Sequence, residues 1–284
     1  MKSVVITGVS SGIGQGAARV LAGEGIRVFG SVRRQADADR LRQELGERFV
    51  PMIFDVTDEA AVKAGAEIVR TALNGAPLFG LVNNAGIAVA GPLLDLPLAE
   101  FRHQIEVNLV GVVTCLQAFA PLLWRGVGAG EKPGRIVNIT SVGGRNGVPF
   151  LAPYAASKFG LEGLTESLRR EMMLFGVEVI AIAPGFVSTE MTTKGAETEI
   201  SAYAATPYAS ALEKLRAFMT PGAGQALPPE RLGQAIHLAL TTPKPRTRYV
   251  VTPSPMQQFL IDTLPPRMVD GMLAGRLGLK PAAS

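Results

Sequence analysis

The run Val4-Val5-Ile6-Thr7-Gly8-Val9-Ser10-Ser11-Gly12-Ile13-Gly14 decides how the rest of the chain is read. A β-prone tetrapeptide ends at Thr7, glycines stand at 8, 12 and 14, and Ala17, Ala18, Val20 and Leu21 then recur at helical spacing. Glycine allows a tight turn and a close approach of backbone to a ligand. A helix opening where the turn ends aims its unbonded N–H groups at whatever the turn encloses, which suits a pyrophosphate. A glycine cluster alone is a weak signal, and the competing reading is a turn without a ligand. Here the strand before it and the helix after it supply the context a dinucleotide-binding turn requires. Gly8, Ser10, Ser11, Gly12, Ile13 and Gly14 are therefore expected to hold cofactor phosphates.

Working outward, short apolar runs at 26–32, 49–54, 78–82, 135–139 and 177–183 alternate with helical patterns at 58–73, 98–124 and 153–175. That alternation specifies an α/β fold: a doubly wound, mostly parallel sheet covered by helices on both faces. A further edge strand is expected at 248–251, and residues 126–133 read as a surface loop. The expectation is one domain over 1–284, with a lid insertion at about 188–229 and a helical tail at about 253–284. In the lid, Tyr208, Leu212, Leu215 and Met219 recur at helical spacing. An ordinary core-facing helix and a lid covering a substrate explain that stripe equally well.

Composition excludes several classes. Apolar residues make up 47% and charged residues 18%, a globular balance. The net charge of +4 is spread along the chain and aromatics are 6%, so no nucleic-acid platform is expected. Cys115 cannot form an internal disulfide, and with only His103 and His237 no metal site is expected. No run of 18 clean apolar residues is read in the sequence, so no transmembrane span is expected, and the N-terminus enters a strand without a leader. The expected location is cytoplasmic.

Ligands of such sheets lie beyond the C-terminal ends of the strands. The second strand ends at Ser31-Val32-Arg33-Arg34, where an acid would bind the ribose hydroxyls of NAD. Two arginines suit a 2′-phosphate better, so NADP(H) is favoured with NAD(H) as the alternative, although Asp37 and Asp39 lie close. A solvated helix-start charge is the other reading of either arginine alone. Asp55 and Val56 end the third strand and are expected at the adenine; a helix cap is the other reading of Asp55. Asn83, Ala85 and Gly86 carry the chain past the cofactor, and Pro184, Gly185, Val187 and Thr189 shape the nicotinamide end.

Tyr154 and Lys158 are four residues apart at the start of a helix, hence on one face. A phenol with a pKa of about 10 is a poor base at neutral pH unless a neighbouring ammonium or cationic nicotinamide favours its anion. So placed, Tyr154 accepts the proton of an alcohol in oxidation or donates it to the carbonyl oxygen in reduction, and Ser141 hydrogen-bonds the same oxygen. Asn108 either fixes a water that relays protons to Lys158 or meets a purely structural need among apolar neighbours.

These motifs together resemble the short-chain dehydrogenase/reductase family: Thr7-Gly8 through Gly12-Ile13-Gly14, Asp55, Asn83-Asn84-Ala85-Gly86, Asn108, Ser141, Tyr154 with Lys158, and Pro184-Gly185 with Thr189. The resemblance implies a seven-stranded sheet and a catalytic tetrad of Asn108, Ser141, Tyr154 and Lys158. It also implies a homodimer or homotetramer, with Ala155, Phe159 and Gly163 as interface candidates. Gly91-Pro92-Leu93, Glu106-Val107-Asn108 and Ser141-Val142-Gly143-Gly144 look like the 17β-hydroxysteroid and retinol dehydrogenase branch, which implies a medium-sized apolar carbonyl or alcohol substrate. One departure is Ser11, where many NADP-preferring relatives carry a basic residue. A 3-oxoacyl-thioester reductase, with Lys194, Lys214 and Arg216 as an entrance patch, is an alternative, and a non-catalytic nucleotide-sensing scaffold is a more distant one.

Overall fold

The structure is a computed structural model of the chain, and it describes residues 1–128, 132–189, 200–219 and 226–279. Seven strands form one sheet: β1 (Ser3–Ile6), β2 (Arg27–Val32), β3 (Phe49–Ile53), β4 (Gly80–Asn83), β5 (Arg135–Ile139), β6 (Val179–Pro184) and β7 (Arg248–Val251). Their order is β3-β2-β1-β4-β5-β6-β7, and every pairing is parallel. Parallel pairing demands crossovers, which are supplied by α1 (Gly12–Gly23), α2 (Gln35–Leu45), α3 (Glu59–Leu73), α4 (Leu98–Ile105) with α5 (Gly111–Phe119), and α6 (Ala152–Glu171). Chain order reverses between β1 and β4, so the ligand crevice of an open α/β sheet opens there.

The period of two along each strand divides the core. Val4, Ile6 and Val28 face one side with Ala17, Ala18 and Leu21 of α1 and Leu232 and Ile236 of a later helix, α8 (Pro229–Thr241). Val5, Phe29 and Leu81 face the other with Val62 of α3, Cys115 and Phe119 of α5, and Leu161 of α6. The chain is thus a single doubly wound Rossmann-like domain. Burial pushes the Cys115 thiol up to about 12, so it remains a protonated, inert core group.

Three expectations are refined. The region 98–124 is not one α-helix. A π-helical turn, Glu106–Val110, separates α4 from α5, and a 3-10 turn, Ala120–Leu123, ends the run. By length and a mean hydropathy of 1.6, Leu98–Leu123 is apolar enough to cross a membrane, which the reading from apolar runs alone did not anticipate. Half of that window is buried inside the domain, and Gln104 and Asn108 bond the segment that follows β4, as a core helix does. Beyond β6, α7 (Ala209–Met219) packs Leu212 and Leu215 against Leu277 of α10 (Pro266–Leu277), so the apolar stripe of the lid region covers a C-terminal helix. Between them in sequence lies α9 (Pro255–Thr263), tied back to the body by Asn146, whose Nδ2 donates to Asp262 at 2.6 Å. Met191 and Lys194 lie outside the described residues.

Candidate active site

The glycine turn takes its shape from steric need. Gly8 and Gly12 have φ of 68° and 57°, the left-handed region that a β-carbon disfavours. A β-carbon on Gly14 would stand 2.2 Å from the Gly8 carbonyl oxygen and 2.5 Å from Asn84 Nδ2. Thr7 stitches the turn to β4: its hydroxyl accepts from Asn84 N and Ala85 N, both at 2.9 Å. Asn84 Nδ2 returns bonds to the carbonyls of Thr7 and Gly8 at 2.8 and 3.0 Å. Ser11 precedes α1 but its side chain caps none of the first N–H groups, so the helix N-terminus keeps donors for an anion. This cradle fits a dinucleotide pyrophosphate.

One cleft runs from this turn across the sheet. Of the sequence-predicted residues, Gly8, Ser10, Ser11, Gly12, Ile13, Arg33, Asp55, Val56, Ala85 and Gly86 line it, followed toward the other end by Tyr154, Lys158, Pro184, Gly185, Val187 and Thr189. Thr189 leans over the turn, 3.1 Å from where a Gly12 β-carbon would lie. Arg33 Nη1 stands 3.8 Å from Asp55 Oδ2 across the mouth, a contact too exposed to hold either firmly. Asp55 Oδ1 accepts from Thr57 N and Oγ1, while the cap of α3 is Asp58.

Five predicted residues lie outside the lining: Ser141, which sits beside Tyr154, and four others. Gly14 serves packing, as described. Arg34 turns to Asp37, with Nε donating at 2.9 Å. Burial pushes the Asp37 carboxyl up, but hydrogen bonds from Arg34 and Arg40 outweigh it and hold the group below its ordinary range. Asn83 is buried and donates to Asn138 Oδ1 at 2.8 Å, its register partner on β5. Asn108 is buried too: its Oδ1 accepts from Ile87 N at 2.8 Å, and its Nδ2 donates to Ile87 O and to Ser157 Oγ at 3.0 and 3.2 Å. Residues missed from the sequence include Phe54, Ile87, Val107 and Thr140 in the lining. Arg40 was also missed as a contact of the turn; its Nη2 donates to the Ser10 carbonyl at 2.7 Å. Gln104 beside Asn108 was legible: two amides four apart in an apolar helix share a need for partners, and both meet it at Ile87.

At the far end, Ser141 caps a short turn, its Oγ accepting from Gly143 N at 3.0 Å, and it lies close enough to the Tyr154 phenol to favour the phenolate. Burial pushes the phenol above its ordinary pKa and Ser141 draws it partway back. The sequence expectation is a phenolate favoured jointly by a neighbouring ammonium and a cationic nicotinamide. Here the Lys158 ammonium, 5.8 Å from the Tyr154 ring centroid, does not offset the loss of solvent. Burial in turn lowers Lys158 to about 8, against the upward pull of Glu162. Lys158 Nζ donates to the Ile139 carbonyl at 2.8 Å, with further donors left for ligand hydroxyls. The arrangement presents a neutral phenol and a neighbouring hydroxyl to one acceptor, beside an ammonium that burial has made easier to deprotonate.

Known proteins bear on this geometry. Residues 2–200 match the short chain dehydrogenase family profile. An NADPH-dependent 3-dehydrocapnine reductase of Ornithobacterium rhinotracheale is 35% identical over 274 residues, 95% of each chain. Human retinol dehydrogenase 16 is 38% identical over 194 residues, which is 68% of this chain and 59% of that protein. The match thus spans about three fifths of the retinol dehydrogenase's length. The crystal structure of a 3-ketoacyl-(acyl-carrier-protein) reductase from Brucella melitensis complexed with NADH superposes with a TM-score of 0.74 at 26% identity, covering 88% of this chain and 96% of that one. The chain belongs to the short chain dehydrogenase family, and with it to the oxidoreductases that act on CH–OH groups with NAD(P)H.

Proposed function

We propose that this protein interconverts a medium-sized, mainly apolar ketone or aldehyde and its alcohol, with NADP(H) as the preferred coenzyme. The observation that carries the reading is the meeting of Tyr154, Ser141 and Lys158 at one end of a cleft whose other end holds the glycine turn and Arg33. When bound, the nicotinamide supplies or accepts the hydride. The chain's own groups do the rest. Ser141 donates to the substrate oxygen and fixes it, and Tyr154 gives that oxygen its proton in reduction or takes it in oxidation. Lys158 holds ribose hydroxyls and supplies positive charge beside the phenol. Asn108 keeps Ile87 and Ser157 in register, which steadies α6 under both groups.

Two arguments favour NADP(H). Arg33 lines the cleft where a 2′-phosphate would lie, and Arg40 brings a second guanidinium to the carbonyl of Ser10, near the position where Ser11 lacks a basic side chain. The relative matched over 95% of its length carries NADPH in its name. The homo-oligomer we propose would pair α6 and the π-helical turn before α5, where Phe159 is 45% and Val110 41% exposed. A second reading, reduction of a 3-oxoacyl thioester, draws on the Brucella likeness. Turnover of a panel of free ketones, aldehydes and acyl thioesters, each with NADPH and with NADH, tests these readings together. Saturable reduction of apolar free ketones with NADPH supports ours, and turnover confined to thioesters supports the other.

A further inference from the structure

Asn83, Asn138, Ala181 and Arg248 are successive register partners across β4, β5, β6 and β7. Register partners point to one face of a sheet, and here that face is covered by α6. Two members of the row hold the helix. Asn138 Nδ2 donates to Thr165 Oγ1 at 2.9 Å. Arg248 Nε donates to both oxygens of Glu162, at 3.1 and 3.2 Å. Ala181 between them carries only a methyl, which lets the Arg248 side chain cross β6 to reach the helix. The Arg248 and Glu162 side chains are only 13% and 15% exposed, and Arg248 Nη2 is buried with no hydrogen-bond partner among the described residues. Stability alone is a poor reason for such a pair. Two charges taken out of water lose about as much as they regain from each other, and an apolar pair of similar volume does as well or better. Charge at this place therefore points to a use.

Glu162 stands one helical turn beyond Lys158, on the same face of α6. The turn that follows Ser141 closes over both: a β-carbon on Gly144 would lie 3.1 Å from Glu162 Cγ and 3.0 Å from the Lys158 carbonyl oxygen. Water screens the carboxylate weakly here, and it pulls the Lys158 ammonium upward against burial. The titratable neighbours of Lys158 on its own helix are Tyr154 and Glu162, and Arg248 faces Glu162 from β7. Of the elements packed on α6, β6, the 142–144 turn and Met172–Phe175 carry no titratable side chain. Glu100, Arg102 and His103 of α4 and Glu106 of the π-helical turn are exposed, and Arg135 lies at the end of β5 remote from Ile139. We propose that Glu162 is a positioning residue for the reaction: its carboxylate, clamped by Arg248, keeps Lys158 an ammonium beside the Tyr154 phenol. Without the clamp the carboxylate is free to turn toward water, where its field on the lysine is screened. The inference rests on the role given to Lys158 above.

The test follows the Lys158 side chain by carbon NMR of isotope-labelled lysine in the full-length, coenzyme-free protein, with the signal assigned by its loss in Lys158→Met. Lys158 should titrate at about 8 in the native protein. In Glu162→Gln it should titrate lower by about one unit or more. The double variant Glu162→Gln with Arg248→Met removes both charges and leaves neither buried alone. It should unfold at a denaturant concentration equal to or above the native one, yet Lys158 should still titrate below the native protein. The alkaline fall of kcat/KM for NADPH, on a ketone the native protein reduces, reports groups of the free enzyme and should move down with Lys158 in both variants. A Lys158 titration unmoved in Glu162→Gln overturns the inference and leaves carbonyl reduction intact. A double variant in which titration and pH profile both return to native also overturns it, because the pair would then be a structural tie alone. A native protein inert to ketones with either coenzyme overturns the functional reading, and with it the part given to Glu162 in the reaction.

Discussion

The Lys158 ammonium donates to the Ile139 carbonyl at 2.8 Å while standing 5.8 Å from the centroid of the Tyr154 ring. The lysine is buried, and burial lowers it from 10.5 to about 8. Below pH 8 the folded protein carries a charge it solvates poorly. Between about pH 8 and 10.5 the unfolded chain still holds that proton and the folded one has released it, so stability rises with pH across the window. The full gain is about 3 kcal/mol, at about 1.4 kcal/mol per unit. Tyr154 is shifted upward and acts in the opposite sense above pH 10, so the comparison belongs below that value. Urea unfolding of the coenzyme-free protein at pH 7.0 and 9.5 (about one unit below and 1.5 above the lysine) should show the rise, and Lys158→Met should abolish it.

Gly14 packs where no β-carbon fits. Gly14→Ala would drive a methyl into the Gly8 carbonyl of the turn and into Asn84 Nδ2, which ties the turn to the end of β4. Overpacking of this kind costs about 1–3 kcal/mol. The variant should fold with a lower unfolding midpoint and lose coenzyme binding, read by quenching of Trp124 or by calorimetry. Native affinity in Gly14→Ala would contradict the role given to the turn.

Arg33 and its partner Asp55 flank the mouth of the cleft. If the guanidinium binds a 2′-phosphate, Arg33→Ala should raise the KM for NADPH about tenfold to a hundredfold and leave that for NADH nearly unchanged, from the about 1.5–3 kcal/mol of a charge-assisted hydrogen bond. Equal changes with both coenzymes would mean that Arg33 does not read the phosphate.

Much of this fold and site is legible in the sequence. Strand period and helix spacing dictate the doubly wound sheet, because apolar residues on both strand faces have to be covered from both sides. Glycine positions mark the turn because few other residues can adopt φ of 68°. Tertiary environment was not legible. Spacing places Tyr154 and Lys158 on one face but cannot say that both lose solvent there, and that loss pushes the phenol up. Nor does sequence show that Arg34 spends its charge on Asp37, that Asn83 turns inward to Asn138, or that the stripe of α7 covers Leu277.

Asn108 separates a structural role from a proton relay. Asn108→Ala strips Ile87 N of its acceptor, whereas Ile87 O keeps Gln104 Nε2 at 2.9 Å. One buried, unpaired N–H costs about 1–3 kcal/mol. Denaturant unfolding should show a loss of that size, together with lower turnover. Native stability with depressed turnover would instead assign Asn108 to the proton path.

Turnover of Tyr154→Phe, measured beside its coenzyme affinity, tests the central claim most directly. The account predicts a fall in kcat of about 10²–10⁴-fold on a ketone the native protein reduces, with NADPH binding within about twofold of native. Removing only the hydroxyl oxygen preserves the ring's packing, so a folding defect would not mimic this result. Turnover of Tyr154→Phe close to native on that ketone would contradict the account, because the proton would then have another source.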